Sequence, residues 1–344
     1  MHAEGIEPSS DAAARQARRL AILGLVAANF CWGWSFPTMQ LCQGAMTGHL
    51  PSEAREGFGG KLAVAGTFIA WRFLLALLLY ALLSLRSQRG YTRADVLGGV
   101  TTGLCFVAGL FLQLLGLRFV APSISGFLTA LAVVFVPLAQ TFLLRRPLRP
   151  GTWLAVGLAS SGMLILTAGG GGEAAARAPF PFFGETLTIL GSVAFTGQIL
   201  CLDRFGREAH TARLTTVMFG TTALAGLGVG LLAPGGVALY EAERFTQLCS
   251  DPTFVWTLGS IVVFSSGVAF HLMNGCQPRL APATAGVLYT LEPVFATGFS
   301  ILLGQEEFRA SLAGGGGLIF LALLTVARGP SRAPAPADSA PSTG

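Results

Sequence analysis

Apolar residues run along this chain in long blocks, and the polar residues collect between them. Eight blocks contain no Asp, Glu, Lys or Arg: 20–52, 96–117, 119–144, 150–172, 186–202, 214–240, 252–278 and 310–327. A helix crossing a hydrocarbon core needs about 20 apolar residues, roughly 17–25, and each block reaches that length, 186–202 by the smallest margin. Two more blocks, 61–83 and 281–303, are each interrupted by a single charge, Arg72 and Glu292. The pattern predicts an all-α integral membrane protein of ten transmembrane helices. A soluble protein with ten buried helices would have no amphipathic helices left to make its surface.

Composition agrees: 52% of the residues are hydrophobic and 11% charged, against roughly 25% charged in an average soluble chain. The positions of the basic residues set an orientation, because Lys and Arg are retained on the cytoplasmic side. With the N-terminus inside, fifteen of the 22 basic residues fall in cytoplasmic segments and six in outer ones, with Arg72 inside a span. Both termini are then expected in the cytoplasm and the chain in a bacterial inner membrane. The net charge of +5 reflects this topology and contact with anionic lipid, and gives no reason to expect nucleic acid. The first segment carries Glu4, Glu7 and Asp11 and no small-residue cleavage site, so it reads as a span and not as a removed signal. The six cysteines have no metal-ligand spacing, and no metal or cofactor is expected. Cys42 and Cys249 both fall near the outer face, where a disulfide could form.

The chain divides near its middle. Residues 1–19 read as a cytoplasmic tail, 20–168 as a first five-helix unit, and 169–182 as an external Gly/Ala/Pro-rich linker with little to pack. A second five-helix unit covers 183–327, and 328–344 reads as a disordered cytoplasmic tail. Shifting the chain by 160 residues lays 121–135 (APSISGFLTALAVVF) over 281–295 (APATAGVLYTLEPVF), with Ala121/Ala281, Pro122/Pro282 and Gly126/Gly286 among the matches. Two copies with an odd number of spans must be inverted relative to each other. The connections agree, RRPLRP after the fourth span being basic and GQEEFR after the ninth acidic. Inverted repeats place a site near the bilayer midplane and permit alternating access by rocking one half against the other.

Particular residues add a family likeness. Trp32-Gly33-Trp34-Ser35-Phe36, Ala70-Trp71-Arg72-Phe73, Ala281-Pro282-Ala283, Leu291-Glu292-Pro293-Val294-Phe295 and Leu303-Gly304-Gln305-Glu306 resemble the EamA-type transporters of the drug/metabolite transporter superfamily. The resemblance runs from about residue 20 to 328. It implies ten helices, two EamA repeats, and export or exchange of small metabolites, a class that extends to efflux of drugs. The first half departs from it with Ala132-Val133 where the second has Glu292-Pro293.

Candidate chemistry starts with Arg72 and Glu292, the formal charges well inside spans. Each lies about eleven residues into its span, so both belong near the midplane. A mid-bilayer charge costs at least about 2.5–3.5 kcal/mol and should face a partner or a wet cavity. They could pair permanently and fix helix packing, or face the cavity between the halves and bind substrate or a proton. Pro293 removes a backbone donor and should loosen the turn before it. Trp32, Gln113, Gln198, His271, Asn274 and Tyr289 complete the expected lining, with Asn29 and Ser35 nearby. Trp32 and Trp34 are about 200° apart around a helix, so the two cannot face one cavity. The run AGGGGL lacks the G-x-x-x-x-G-K-[S/T] spacing of a nucleotide loop and lies in a span. Energy must therefore come from an ion or substrate gradient.

These readings converge on a secondary transporter, an exporter or exchanger of a small polar or amphipathic metabolite, with Glu292 available for proton coupling. The expected partners are that substrate, membrane lipid and protons; the oligomeric state is left open. A lipid-linked carrier flippase is the alternative within the class. An intramembrane enzyme is the alternative outside it, and would need a nucleophile and base on facing helices, such as Ser265 or Ser266 with His271.

Overall fold

The computed structural model describes residues 9–55, 57–120, 122–143, 145, 150–167, 182–305, 307–308 and 310–328. The expected linker and C-terminal tail lie outside the described residues, apart from Phe182 and Arg328. Among the described residues every regular element is helical. A long first helix, α1 (Ser9–Gly48), is followed by the short α2 (Ser52–Arg55), then α3 (Phe58–Leu83) and α4 (Arg93–Gly116). The fourth expected span is broken into α5 (Pro122–Thr129) and α6 (Ala132–Leu138), the latter running into a π turn at Ala139–Leu143. α7 (Pro150–Thr167) ends the first half. The second half holds α8 (Phe183–Phe205), α9 (Thr211–Leu232) and the short α10 (Ala242–Ser250). A span follows in three parts: α11 (Pro252–Ser260), a π stretch at Ile261–Val268, and α12 (Ala269–Cys276). Last come α13 (Pro282–Tyr289), α14 (Leu291–Leu302) and α15 (Ala310–Arg328).

Seven of the described helical segments are long and apolar enough to cross a membrane, and shorter apolar helices occupy Ala132–Leu143 and Ala313–Ala322. Large apolar side chains such as Leu78, Leu82, Leu83, Leu224 and Phe320 point outward, as hydrocarbon-facing helices require. Among the described residues many polar side chains turn inward. Asn29, Thr67, Thr102, Thr215, Thr222 and Ser265 are all fully buried. Two of these threonines close a bond to the carbonyl one turn back, Thr215 to Thr211 O at 2.7 Å and Thr222 to Met218 O at 2.8 Å.

Positions matched by the 160-residue shift occupy comparable places in α5 and α13. α5 and α13 begin at Pro122 and Pro282 and end at Thr129 and Tyr289, matching positions under that shift. The contacts also exchange. Gly126 faces Pro293, the position matching Val133, while Gly286 faces Val133. α3 pairs with α9 and α7 with α15 along their lengths. α4 lies on α8 as α1 lies on the α11–α12 span. Each half therefore contributes helices to every major contact, and the core is an interface between halves.

That interface is pinned at one end by Asp95, fully buried in the first turn of α4. Thr92 and Asp95 form a reciprocal capping box, Thr92 N donating to Asp95 Oδ2 at 2.8 Å and Asp95 N to Thr92 Oγ1 at 3.2 Å. The other carboxylate oxygen accepts from His210 N at 2.7 Å, at the start of α9, and Arg213 lies 3.5 Å from Oδ2. One side chain thus caps its own helix and ties the two halves. Asp95→Ala is expected to lower stability by about 2 kcal/mol, the sum of a lost cap and unpaired donors. Asp95→Asn should lose less, since the amide oxygen can still cap. Melting temperatures of the two variants in mild detergent check the order.

The cysteines differ from one expectation. Cys42 and Cys249 are both free, Cys42 buried in the bundle and Cys249 exposed. Cys42 points into the packed core of α1, so it is not available to a residue on the surface of α10.

Candidate functional site

The breaks between α5 and α6 and between α13 and α14 lie next to a cavity of about 80 Å³. At such breaks the backbone carbonyls and amides of the interrupted turns have no helical partner, and the sequence supplies substitutes. Ser192 of α8 donates to Thr129 O at 2.8 Å, and Gln113 of α4 donates to Thr129 Oγ1 at 2.8 Å. Thr290, between α13 and α14, closes onto Val287 O at 2.7 Å. Pro293 does not loosen a continuous helix, as the sequence alone suggested. The break precedes it, and Pro293 lies in the first turn of α14, where a missing N–H costs nothing. Glu292 stands in the same first turn, where the partial positive end of the helix favours a carboxylate.

Six of the eight expected site residues line this one cavity: Trp32, Arg72, Gln113, Gln198, Tyr289 and Glu292. They come from α1, α3, α4, α8, α13 and α14, and so from both halves. Each polar one except Glu292 is held by a partner. Arg72 is 2% exposed; its Nε donates to Ser266 Oγ at 2.9 Å and its Nη1 lies 3.4 Å from Met39 Sδ. Its guanidinium also lies over the Phe73 ring, 4.9 Å from the centroid. Trp32 Nε1 donates to Ser265 O at 3.0 Å, with its ring edge-on to Phe270 at 5.4 Å. Tyr289 donates its hydroxyl proton to Gln277 Oε1 at 2.5 Å, and Gln277 Nε2 donates to Ile199 O at 3.0 Å. Gln198 Nε2 approaches Met273 Sδ at 3.5 Å.

Arg72 and Glu292 do not form an ion pair within 4.0 Å, and among the described residues the Glu292 carboxylate accepts no hydrogen bond. A permanent ion pair between them is therefore not what fixes the packing here. Arg72 is fixed instead by the π stretch, whose Ser266 holds it while Ser265 donates to Cys31 O at 2.6 Å. A π turn adds a residue to the helical repeat and is found mostly at functional sites. Here it aims two consecutive serines at two different helices.

His271 and Asn274 do not line the cavity. His271 Nδ1 lies 2.7 Å from the Tyr80 hydroxyl, and Asn274 Nδ2 donates to Thr215 Oγ1 at 2.9 Å. Both join α12 to α3 and α9. Their neighbours Phe270 and Met273 line the cavity instead. Ser265 and Ser266 are likewise bonded to Cys31 and Arg72, and among the described residues neither bonds His271. Trp34 turns away from Trp32, as its angular separation requires, and packs on Trp256 and Phe299 while donating to Ser260 Oγ at 3.1 Å. Asn29 bonds Leu25 O at 2.6 Å and Ser35 bonds Trp32 O at 2.7 Å.

Several lining groups had no individual signal in the sequence. Thr129 could have been found, since the 160-residue shift lays it on Tyr289. Phe106, Phe195 and Phe270, which give the cavity its apolar wall, are indistinguishable in sequence from other phenylalanines of the spans.

Comparison with known proteins reaches the same architecture. Residues 182–328 match the EamA-like transporter family. A protein of Archaeoglobus fulgidus described as an uncharacterized transporter is 24% identical over 309 residues, covering 90% of this chain and 86% of its own length. A solved crystal structure superposes with a TM-score of 0.65 at 20% identity, covering 89% of this chain and 97% of that one.

Proposed function

We propose that this chain, an EamA-type membrane protein of the drug/metabolite transporter superfamily, is a secondary active transporter that exports or exchanges a small polar or amphipathic metabolite. In this reading ten spans form two inverted five-helix repeats in a bacterial inner membrane, with both termini cytoplasmic. Residues 20–168 are the partner repeat of the EamA domain. The substrate binds between the halves, and rocking of one half against the other exposes the site to each side in turn.

One observation carries the reading: two opposite charges from different halves, Arg72 and Glu292, face one cavity without closing into an ion pair. A purely structural pair would be expected to close, because burying unpaired charges is expensive. Keeping them apart leaves both available to something that enters and leaves. Glu292 is also the lining group able to carry a proton, which allows coupling to a proton gradient. A cavity bounded by two broken helices has backbone groups ready to rearrange as the halves move.

The test begins with purified protein in detergent and a metabolite panel read by thermal shift. A ligand at 100 times its dissociation constant stabilises by about 2.7 kcal/mol. A ligand whose shift disappears in both Arg72→Met and Glu292→Gln locates the site. The same compound should then show counterflow into proteoliposomes preloaded with it. A ligand that binds at these residues but never crosses the bilayer would sink the transporter reading.

A further inference from the structure

Cys42 and Cys249 do not meet, but the fold brings a different pair of cysteines together. α4 and α8, one from each half, cross antiparallel and close. A Cβ on Gly98 would lie 2.8 Å from Phe205 Cβ and one on Gly109 2.7 Å from the Phe195 ring, while one on Gly116 would strike Thr188 Oγ1. Cys105 falls between Gly98 and Gly109, so the part of α8 facing it falls between Phe205 and Phe195. Gly197 and Cys201 occupy that stretch, one turn apart. A Cβ on Gly197 would stand 3.8 Å from Cys105 Cβ and 3.2 Å from its Sγ. Bridged cysteines hold their Cβ atoms about 3.5–4.5 Å apart, so the backbones here are as close as a disulfide needs. The Cys105 thiol interacts directly with the Cys201 thiol, and the Thr101 hydroxyl, one turn before Cys105, reaches Cys201 as well.

Both cysteines are half-buried, and neither lines the cavity between the halves. Leu104, next to Cys105, is exposed on the outside of the bundle. Cys201 stands three residues before Arg204, about 4.5 Å along the helix axis, and the Arg204 side chain is 68% exposed. The pair therefore lies where an apolar span meets its charged end, within reach of water and of small molecules dissolved in the lipid. Susceptibility to oxidation follows exposure and a second thiol in contact to resolve the first product. This pair has both.

We propose that Cys105 and Cys201 form a site of reversible oxidation, at which an organic hydroperoxide joins the two halves by a disulfide across the α4–α8 crossing. The Cys201 thiolate attacks the terminal hydroperoxide oxygen. The O–O bond breaks, Cys201 becomes a sulfenic acid, and the alkoxide leaves as an alcohol with the proton Cys201 released. The Cys105 sulfur then attacks the Cys201 sulfur. The S–S bond forms, the S–O bond breaks, and hydroxide leaves as water with the Cys105 proton. Two thiols give up two electrons, and one hydroperoxide becomes one alcohol and one water. The bond has a consequence for the cavity, a step that rests on the transport reading. Phe106 and Gln113 line the cavity from α4, Phe195 and Gln198 from α8, and the Phe106 and Phe195 rings stand 5.9 Å apart. A covalent tie beside Phe106 fixes two walls from different halves, so the oxidised protein stops cycling.

The experiment starts from the unmutated protein, so it does not depend on any variant folding. Protein in liposomes is treated with cumene hydroperoxide, blocked with N-ethylmaleimide, digested without reductant and read by mass spectrometry. Two of the six thiols are expected to disappear, the Cys105 and Cys201 peptides to be recovered linked, and dithiothreitol to restore both. Cys105→Ser should give no linked peptide and let dimedone trap the sulfenic acid at Cys201, which then has no thiol to resolve it. Cys105 and Cys201 thiols that survive the oxidant overturn the proposal, as does linkage of another cysteine pair in equal yield. Counterflow of the ligand found by the metabolite panel is then measured on the same liposomes. Oxidation should lower it at least tenfold in the parent, reversibly, and leave Cys105→Ser and Cys201→Ser unaffected. Linkage with unchanged counterflow overturns the arrest. Linkage in a protein that moves no ligand in either redox state supports the oxidation site and defeats the transport reading.

Discussion

Gly66→Val is expected to eliminate the folded protein, with a stability loss above about 3 kcal/mol, while Gly228→Ala should leave it intact or slightly more stable. Along the α3–α9 crossing the backbones touch. A Cβ on Gly66 would strike the Gly230 backbone nitrogen, with Gly230 Cα 2.7 Å away and Gly226 O at 3.0 Å. The partner glycines are as constrained: a Cβ on Gly226 would lie 2.7 Å from Ala70 N, and one on Gly230 2.9 Å from Thr67 N. All three obstacles are backbone, which cannot step aside as a side-chain tip can. In a bilayer, helices associate through such close packing and not through a hydrophobic force, so small residues at a crossing carry much of the stability. Overpacking a well-filled contact typically costs about 1–3 kcal/mol, and more where only backbone can move. Gly228 lies two residues from Gly230 on the same helix, yet nothing stands within 4 Å of its Cβ position. There the substitution only removes glycine's excess backbone freedom, a gain of about 0.5–1 kcal/mol. Size-exclusion profiles and melting curves of the two variants in one detergent provide the comparison. A monodisperse Gly66→Val protein with the parent's melting temperature would refute the packing argument.

The same crossing shows where sequence information is explicit and where it is not. Membrane character was legible because burial in lipid requires long charge-free runs, and a run survives any detail of packing. Arg72 and Glu292 were legible for the same reason: in a chain that excludes charge from its spans, an exception must have a destination. The likeness of α5 and α13 was legible through Pro122/Pro282, which open both helices, and Gly126/Gly286, which pack on matching positions. Rotation about helix axes was not legible. His271 and Asn274 were expected in the lining, yet Phe270 and Met273 occupy it, one residue away and so about 100° round the helix. The π stretch at Ile261–Val268 precedes them, and an inserted residue shifts the phase of everything after it. Its formation depends on Arg72, Trp32 and Cys31 arriving from other helices, which no local pattern encodes. Gln277 was missed likewise. It lies past the end of α12, and only the fold brings it to Tyr289 and Ile199.

Glu292→Gln should lower transport at least about 30-fold while changing stability by no more than about 1 kcal/mol. The asymmetry follows from what the side chain does and does not touch. Among the described residues its carboxylate accepts no hydrogen bond and forms no ion pair, so folding loses no direct contact when it becomes an amide of the same shape. Three opposing effects bear on the charge itself. A mid-bilayer charge costs about 2.5–3.5 kcal/mol. The first turn of α14 returns about 0.3–1 kcal/mol through the helix dipole. Attraction to Arg72, which lies beyond ion-pair distance, offsets much of the remainder at an effective dielectric near 20. Removing all three together leaves a small net change. Binding is not cushioned in this way, because losing one member of a buried, hydrogen-bonded charge pair with the ligand costs about 2–5 kcal/mol, and each 1.4 kcal/mol is a factor of about ten. Arg72→Met provides the contrast. It too should abolish transport, but it also takes away the bond to Ser266 and the stacking on Phe73, so its melting temperature should fall. Counterflow and melting curves on both variants therefore form a two-by-two test. A Glu292→Gln protein that transports at the parent's rate would reduce Glu292 to a helix-start charge and move the site away from the broken helices. A variant that loses transport only because it unfolds would show that the carboxylate is held by contacts the cavity geometry does not contain.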